Sequence, residues 1–158
     1  MQSNTMQGIR LRPAEKGDLL VITELLAHLG YTPERSLLSQ AFHRALMDES
    51  LHILLATDNV QCLGLITLRT QVCLRLAGTL ASIEELVVHP RARGLGIGSH
   101  MLEWAKNQAE NLQAARLEVI ISTSRQSFER RFYLKNGFSL AQSRLFRWSK
   151  QRKEEEPT

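Results

Sequence analysis

Three glycines at alternate positions, set between a strand and a helix, constrain this chain more than any other feature. The stretch reads Glu85-Leu-Val-Val-His-Pro-Arg-Ala-Arg-Gly-Leu-Gly-Ile-Gly98. Apolar residues up to Val88 suit a strand, Pro90 closes it, and a helical pattern resumes from about Ser99. Glycine lets the backbone turn so that successive N–H groups face one point and an anion approaches closely. The first helical turn adds N–H groups without helical partners and the positive end of the helix dipole. Such a junction is either a tight connection that binds nothing or a seat for a diphosphate, with Arg93 adding charge at its rim. The glycines alone leave both readings standing.

The rest of the chain supplies one mixed α/β domain over residues 9–149, with a short lead at 1–8 and a charged tail at 150–158. Ile9 to Arg12 alternates as a first strand. Asp18 is placed to cap a helix whose apolar residues Leu19, Ile22, Leu25, Leu26 and Leu29 recur at helical spacing before Gly30 ends it. Pro33 to Asp48 reads as a second helix with Leu37, Leu38, Ala41, Ala45 and Leu46 on its apolar side. Strands follow at Leu51 to Thr57, Cys62 to Thr70 and Leu80 to Val88, an apparently antiparallel run. After the glycine loop come a helix from Ser99 to Leu112, a strand from Arg116 to Ser122, a short helix from Ser127 to Asn136 and a last strand around Phe138 to Trp148. There are no internal repeats or linkers.

The chain has 158 residues, 43% of them apolar and 23% charged, enough for a single core without staples. Cys62 and Cys73 form neither a metal pair nor a disulfide framework and read as buried free thiols. No apolar run reaches membrane-spanning length and the first residues lack a signal pattern, so a cytoplasmic protein is expected. The histidines show no metal-ligand spacing, and no metal is expected. A net charge of +4 fits nucleic acid or an anionic small molecule equally. The basic cluster Arg125, Arg130, Arg131 and Lys135 has no aromatic row and no recognised motif beside it, which argues against nucleic acid.

Two phosphate-binding rivals are weakened by spacing. A Walker loop ends in Gly-Lys-Ser/Thr, and no Lys follows these glycines. A dinucleotide fingerprint would read Gly94-x-Gly96-x-x-Ser99, without the third small Gly or Ala, and it belongs to a parallel βαβ unit rather than an antiparallel run. Glu118, twenty residues past Gly98, keeps that rival alive as a ribose-binding acid.

Arg93-Gly-Leu-Gly96-Ile-Gly98 resembles the acyl-coenzyme A signature of the GNAT acetyltransferase superfamily, Gln/Arg-x-x-Gly-x-Gly/Ala. The later Phe132-Tyr133-Leu-Lys-Asn-Gly-Phe138 segment also matches, and the order of elements agrees over residues 9–149. The resemblance implies a GNAT fold, a mixed, largely antiparallel sheet flanked by helices, and acetyl-coenzyme A as co-substrate. It implies that backbone groups of Arg93, Gly94, Leu95, Gly96, Ile97, Gly98 and Ser99 hold the pyrophosphate. The strand end Leu86-Val87-Val88 would pair with the pantetheine arm, and a main-chain N–H at Leu86 or Val88 would bond the thioester oxygen and steady the oxyanion. Where many members carry Asn six residues before the Phe-Tyr pair and a small residue three before it, this chain has Gln126 and Glu129. Gln126 still offers an amide to the pantetheine.

Direct attack by an amine needs a proton acceptor for the amine and a proton for the departing thiolate. The family commonly aims a Tyr at the sulfur, and Tyr133 stands in that setting; the alternative is a Tyr packed on the core through its ring. For the base, strand alternation puts Glu84 on one face with Ser82, Leu86 and Val88, and Glu85 on the other with Ile83 and Val87. The resemblance to small-amine members favours Glu84, acting through water; a surface or ion-pairing carboxylate is the plain alternative. His89 reads as a loop residue, and His52, at the start of a strand, is a candidate to reach the acceptor side.

The resemblance places the acceptor against the first two helices, about Leu25 to Leu46. The Ile83 to Leu95 and Phe132 to Phe138 segments look closest to small-amine members, aminoalkylphosphonate acetyltransferases among them, which implies a compact aminated acceptor with an anionic group allowed. Aminoglycosides, polyamines and protein N-termini or lysines stay open. The expected function is thus N-acetyl transfer to a small amine, with peptide N-acetylation or a non-catalytic acyl-coenzyme A sensor as alternatives. A homodimer through Leu140 to Trp148 is allowed.

Overall fold

Period-two apolar runs joined by tight turns build the sheet, and 3.6-period runs cover it. The computed structural model describes residues 8–122 and 126–149, the side chains of 126–128 excepted. Its residues cluster into two units, Met1–Ile120 and Ile121–Thr158.

The first unit carries five strands, β1 (Arg10–Pro13), β2 (Leu51–Thr57), β3 (Cys62–Cys73), β4 (Gly78–Val88) and β5 (Arg116–Val119), lying side by side in chain order. β1 to β4 are antiparallel neighbours, and β5 joins β4 in parallel. Three helices accompany them: α1 (Leu19–Leu29), α2 (Arg35–Leu46) and α3 (Ile97–Asn111). The β2–β3 hairpin turns on Asp58, whose carboxylate takes the N–H groups of Val60 and Gln61, both at 2.7 Å. An Asx turn of this kind replaces ladder bonds that the reversing chain cannot make.

One face of the sheet packs on α1 and α2 through Ile22, Leu25, Phe42, Leu55, Leu65 and Val87. Each such side chain contributes about 1.5–3 kcal/mol by leaving water. The other face meets α3, whose Ile97, Met101, Leu102 and Ala105 are buried. Gly64 permits that approach: a Cβ there would lie 3.0 Å from Met101 Cε and 3.2 Å from the Val87 carbonyl oxygen. The period of α1 holds as read, and Gly30 ends it at φ +99°, with Gly30 N–H on Ala27 O and Tyr31 N–H on Leu26 O.

Several expectations need correction. Asp18 does not cap α1; its carboxylate instead takes two guanidinium bonds from Arg12 at 2.8 Å and the Glu15 N–H at 2.7 Å. α2 is shorter than Pro33 to Asp48, because Glu34 caps it by accepting from Ser36 and Leu37 N–H. Its buried residue is Phe42, whereas Leu37 and Ala41 are exposed. α3 starts at Ile97 rather than Ser99, and β5 ends at Val119 rather than Ser122. The two free thiols are half-buried, not buried.

The parallel pairing of β4 with β5 across α3 also removes one argument used above. The glycine loop does sit in a βαβ unit, so only the missing third Gly or Ala weakens the dinucleotide reading.

The second unit contains α4 (Gln126–Lys135). The strand expected around Phe138 to Trp148 does not form: residues 138–149 have no regular structure, and Leu140, Leu145, Phe146 and Trp148 are exposed. A strand exists only by pairing its backbone, and among the described residues 121–149 contain no other strand. Most of the expected lead, residues 1–7, and the tail at 150–158 lie outside the described residues, as does Arg125. Among the described residues no helix is long and apolar enough to cross a membrane.

Candidate active site

The loop after β4 is built from a 3-10 turn, Pro90–Ala92, and two left-handed glycines. Ala92 is buried and anchors the turn, and the His89 ring accepts the Arg91 N–H at 3.2 Å. His89 serves this turn and packs edge-on against His28 with ring centroids 4.8 Å apart. Desolvation, then the nearby charge of Arg91, holds its pKa below the usual histidine range. Gly94 stands at φ +77° and Gly96 at φ +85°, conformations that cost other residues about 1–2 kcal/mol. Gly96 is the N-cap of α3, and the helix's first bond back to it is His100 N–H on Gly96 O at 3.0 Å. The N–H groups of Ile97, Gly98 and Ser99 therefore have no helical carbonyl to reach. Alternate left-handed residues followed by an open helix start form an anion-binding concavity. Arg93 reaches back from it, its Nε donating to Val88 O at 3.3 Å.

The strand leading into this loop has one edge that no strand covers. β5 pairs β4 only from Leu80 to Ile83. Farther along, His89 N–H bonds Leu63 O on β3 and Glu85 N–H bonds the Thr67 hydroxyl, also on β3. Backbone groups alternate sides along an antiparallel strand, so those of Leu86 and Val88 point to the other edge. Among the described residues, no strand pairs that edge beyond Ile83.

The change happens at a β-bulge. Leu68 pairs Ile83, but Thr67 pairs Glu85, so Glu84 is an extra residue. The alternation expected for the two carboxylates is thereby broken. Glu85 shares the α1–α2 face with Thr67, and with Ser82 opposite Arg69, whereas Ile83 lies on the α3 face opposite Leu68. Glu84 is exposed at the bulge.

Glu85 is half-buried and borders a cavity of about 510 Å³ between the sheet and α1–α2. Leu26, Leu38, Phe42, Arg44, Thr67 and Arg69 line it too. Burial pushes the Glu85 carboxyl above its usual pKa, opposed by the Thr67 hydroxyl bond and by the charge of Arg69. His52 is not part of this cavity's lining; its ring packs on Trp104 of α3 with centroids 6.3 Å apart.

In the second unit, Tyr133 sits in the last turn of α4. Gly137 at φ +88° closes the helix, with Phe138 N–H on Tyr133 O at 3.0 Å and Gly137 N–H on Leu134 O at 3.2 Å. This cap brings the Phe138 ring to 5.5 Å from Tyr133, with Phe132 at 5.2 Å on the ring as well. The Phe-Tyr-x-Lys-Asn-Gly-Phe motif is thus a helix end that fixes the Tyr133 ring. Gln126 opens α4; its side chain lies outside the described residues. Arg130, Arg131 and Lys135 are exposed.

Sequence reasoning missed the bulge, Thr67, Arg44 and Arg69. One signal was present: Thr67 is a polar residue within the apolar run Leu63 to Leu68.

Comparison with known proteins adds four findings. Residues 20–138 match the family described as "Acetyltransferase (GNAT) family". The chain is 36% identical over 104 residues, 66% of its length, to 67% of an aminoalkylphosphonate N-acetyltransferase of Salmonella typhimurium strain LT2. Its fold is similar to that of a transcriptional regulator from Bacillus halodurans (TM-score 0.78, 23% identity, 89% of this chain and 99% of that one). It is also similar to an aminoglycoside 6'-N-acetyltransferase from Acinetobacter haemolyticus (TM-score 0.76, 16% identity, 90% and 99%). At these identities the two structures bear on fold alone.

Proposed function

The chain belongs to the GNAT acetyltransferase family, and from that premise we propose that it moves the acetyl group of acetyl-coenzyme A to the primary amine of a small acceptor. The observation that carries the donor half is the pair of left-handed glycines, Gly94 and Gly96, opening α3 beside the uncovered edge of β4. Acetyl-coenzyme A supplies a thioester, an activated acyl group on a good leaving thiolate. The N–H groups from Arg93 to Ser99 hold its diphosphate, with Arg93 at the rim. Leu86, Val87 and Val88 lie along its pantetheine arm, and the family resemblance assigns Gln126 the amide for that arm. The N–H of Leu86 or Val88 donates to the thioester oxygen, and its value rises as charge develops there.

In the transfer itself a C–N bond forms and the C–S bond breaks within one ternary complex. Tyr133 gives its proton to the leaving sulfur. The amine's proton passes to a carboxylate on β4, where Glu84 forms the bulge and Glu85 follows it; Glu84, open to water, is the residue favoured by the family resemblance. The small-amine reading is supported by the relative that acts on aminoalkylphosphonates, and by a cavity whose size suits a small molecule.

Isothermal titration with acetyl-coenzyme A, coenzyme A and NADH tests the donor half. Micromolar binding of acetyl-coenzyme A that Gly96→Val abolishes is the expected result. A folded protein that ignores acetyl-coenzyme A and binds NADH would return the glycines to the dinucleotide reading.

A further inference from the structure

The cavity beside β4 is lined by charges of both signs, Glu85 and Asp48 with Arg44 and Arg69. Glu85 holds one wall, its carboxylate accepting from the Thr67 hydroxyl while its backbone N–H donates to that same hydroxyl. Arg44, in the last turn of α2, and Arg69, on β3, stand at the rim. Between them the lining is apolar, with Ile22, Leu26, Ile53 and Leu65.

The two guanidiniums are incompletely matched within the protein. Asp48 is the one carboxylate paired at that end, giving Oδ2 to Arg69 Nη1 at 3.3 Å. Its Oδ1 is already taken by the Ser50 N–H at 2.9 Å and hydroxyl at 2.6 Å. Arg44 enters no ion pair among the described residues. Two positive groups therefore answer one committed negative one. Arg69 lies on the same sheet face as Glu85, two residues along β3 from Thr67, and its charge acts on the Glu85 carboxyl.

Resting on the acetyl-transfer reading above, we infer that the acceptor is a short amine with an anionic group at its far end, its amine met by Glu85 and its anion held by Arg44 and Arg69. Guanidinium forks match carboxylate, phosphate and phosphonate oxygens in pairs. The apolar middle suits a short alkyl spacer and rejects a polyamine, whose second ammonium would lie against two arginines. Glu85 suits the amine better than Glu84 does, because the bulge turns Glu84 out of the cavity lining. Thr67 sets the carboxylate's direction, and the amine's proton has an acceptor at the point of contact.

The test uses the full chain with three probes of similar length: 2-aminoethylphosphonate, β-alanine and n-propylamine. Thiol release from acetyl-coenzyme A gives kcat and KM, and calorimetry on the coenzyme A complex gives acceptor binding without turnover. One anionic amine is expected to exceed n-propylamine by about 100-fold in kcat/KM, two charge-assisted contacts contributing about tenfold each. Which anionic probe leads identifies the anion. Arg44→Met and Arg69→Met each raise KM for that probe about tenfold and narrow its lead over n-propylamine. Both variants should fold, since the Arg69–Asp48 pair is 38% and 40% exposed and such pairs contribute little. Glu85→Gln, which keeps an acceptor for the Thr67 hydroxyl, lowers kcat on all probes more than Glu84→Gln does. Equal use of n-propylamine, or arginine variants that weaken all three probes alike, would overturn the inference while leaving acetyl transfer intact. Arg69-dependent binding of an anionic amine with no thiol release from any probe would keep the inference and sink the transfer.

Discussion

Thr67 and Glu85 hold each other twice across the β3–β4 pair: the Thr67 hydroxyl donates to the Glu85 carboxylate and accepts the Glu85 backbone N–H at 3.0 Å. The carboxyl therefore points into the α1–α2 cavity by construction, and its pKa is a balance of burial pushing up and Thr67 pulling down.

That balance predicts a pH profile. With Glu85 as the base inferred above, the ascending limb of kcat/KM should fall above the ordinary glutamate range, because that carboxyl would have to lose its proton to act. Thr67→Ala removes a bond to the charged form, so the limb moves to higher pH; Thr67→Ser restores it. A rate profile for the three proteins checks the order.

The same shift carries a stability cost with a definite sign. A carboxyl whose folded pKa is raised binds its proton more tightly folded than unfolded, so its contribution is full at low pH and falls as pH rises through the folded pKa. Glu85→Gln should therefore raise Tm at pH 8 more than at pH 5, while lowering activity. Thermal melts at the two pH values measure the difference.

Arg12 and Asp18 form the opposite case. Asp18 is held below the usual aspartate pKa by the Arg12 hydrogen bonds, and its side chain is only 12% exposed. Its stabilisation is present above the unfolded pKa near 4 and is lost as pH falls through the lower folded value. Asp18→Asn should cost about 2–4 kcal/mol at pH 7, since it strands a partly buried guanidinium. Urea unfolding at pH 7 should show that loss, and at pH 3 a smaller one.

Gly94 separates strain from space. A Cβ there meets nothing within 4 Å, yet φ is +77°. Gly94→Ala should cost about 1 kcal/mol of stability through the backbone alone. It should weaken acetyl-coenzyme A binding far more than melting suggests, because the strained turn aims the anion-facing N–H groups. Calorimetry beside a melt distinguishes the two effects.

Tyr133→Phe removes the hydroxyl and keeps the ring between Phe132 and Phe138. With Tyr133 as the acid, kcat should fall about 10²-fold while acetyl-coenzyme A binding stays near wild type. An unchanged kcat would leave Tyr133 its packing role alone.

The sequence exposed what local chemistry decides. Glycines at positive φ after a Pro-closed strand, the helical period of α1 and the Gly30 stop all depend on residues within a few positions of one another. Asp18 misled because its capping position was legible while Arg12, its partner in space, was not. Glu84 and Glu85 misled for a similar reason: alternation assumes an unbroken ladder, and the bulge exists only in the pairing with β3. Arg44 and Arg69 carry no local signal of a shared site, because only the packing of α2 and β3 brings them to one cavity. The absent last strand shows the same limit, since an alternating pattern in Phe138 to Trp148 promises a strand only where a partner backbone waits.

The extra residue at Glu84 has an effect that reaches past the two carboxylates. β4 and β5 keep step until Ile83 and part at the next residue. A bulge bends its strand, so β4 turns out of line with β5 at the point where β5 ends, at Val119. The free edge of β4 beyond Ile83 is thus an unfinished zipper among the described residues, and the extended guest proposed above would supply the bonds that the protein's own strands do not.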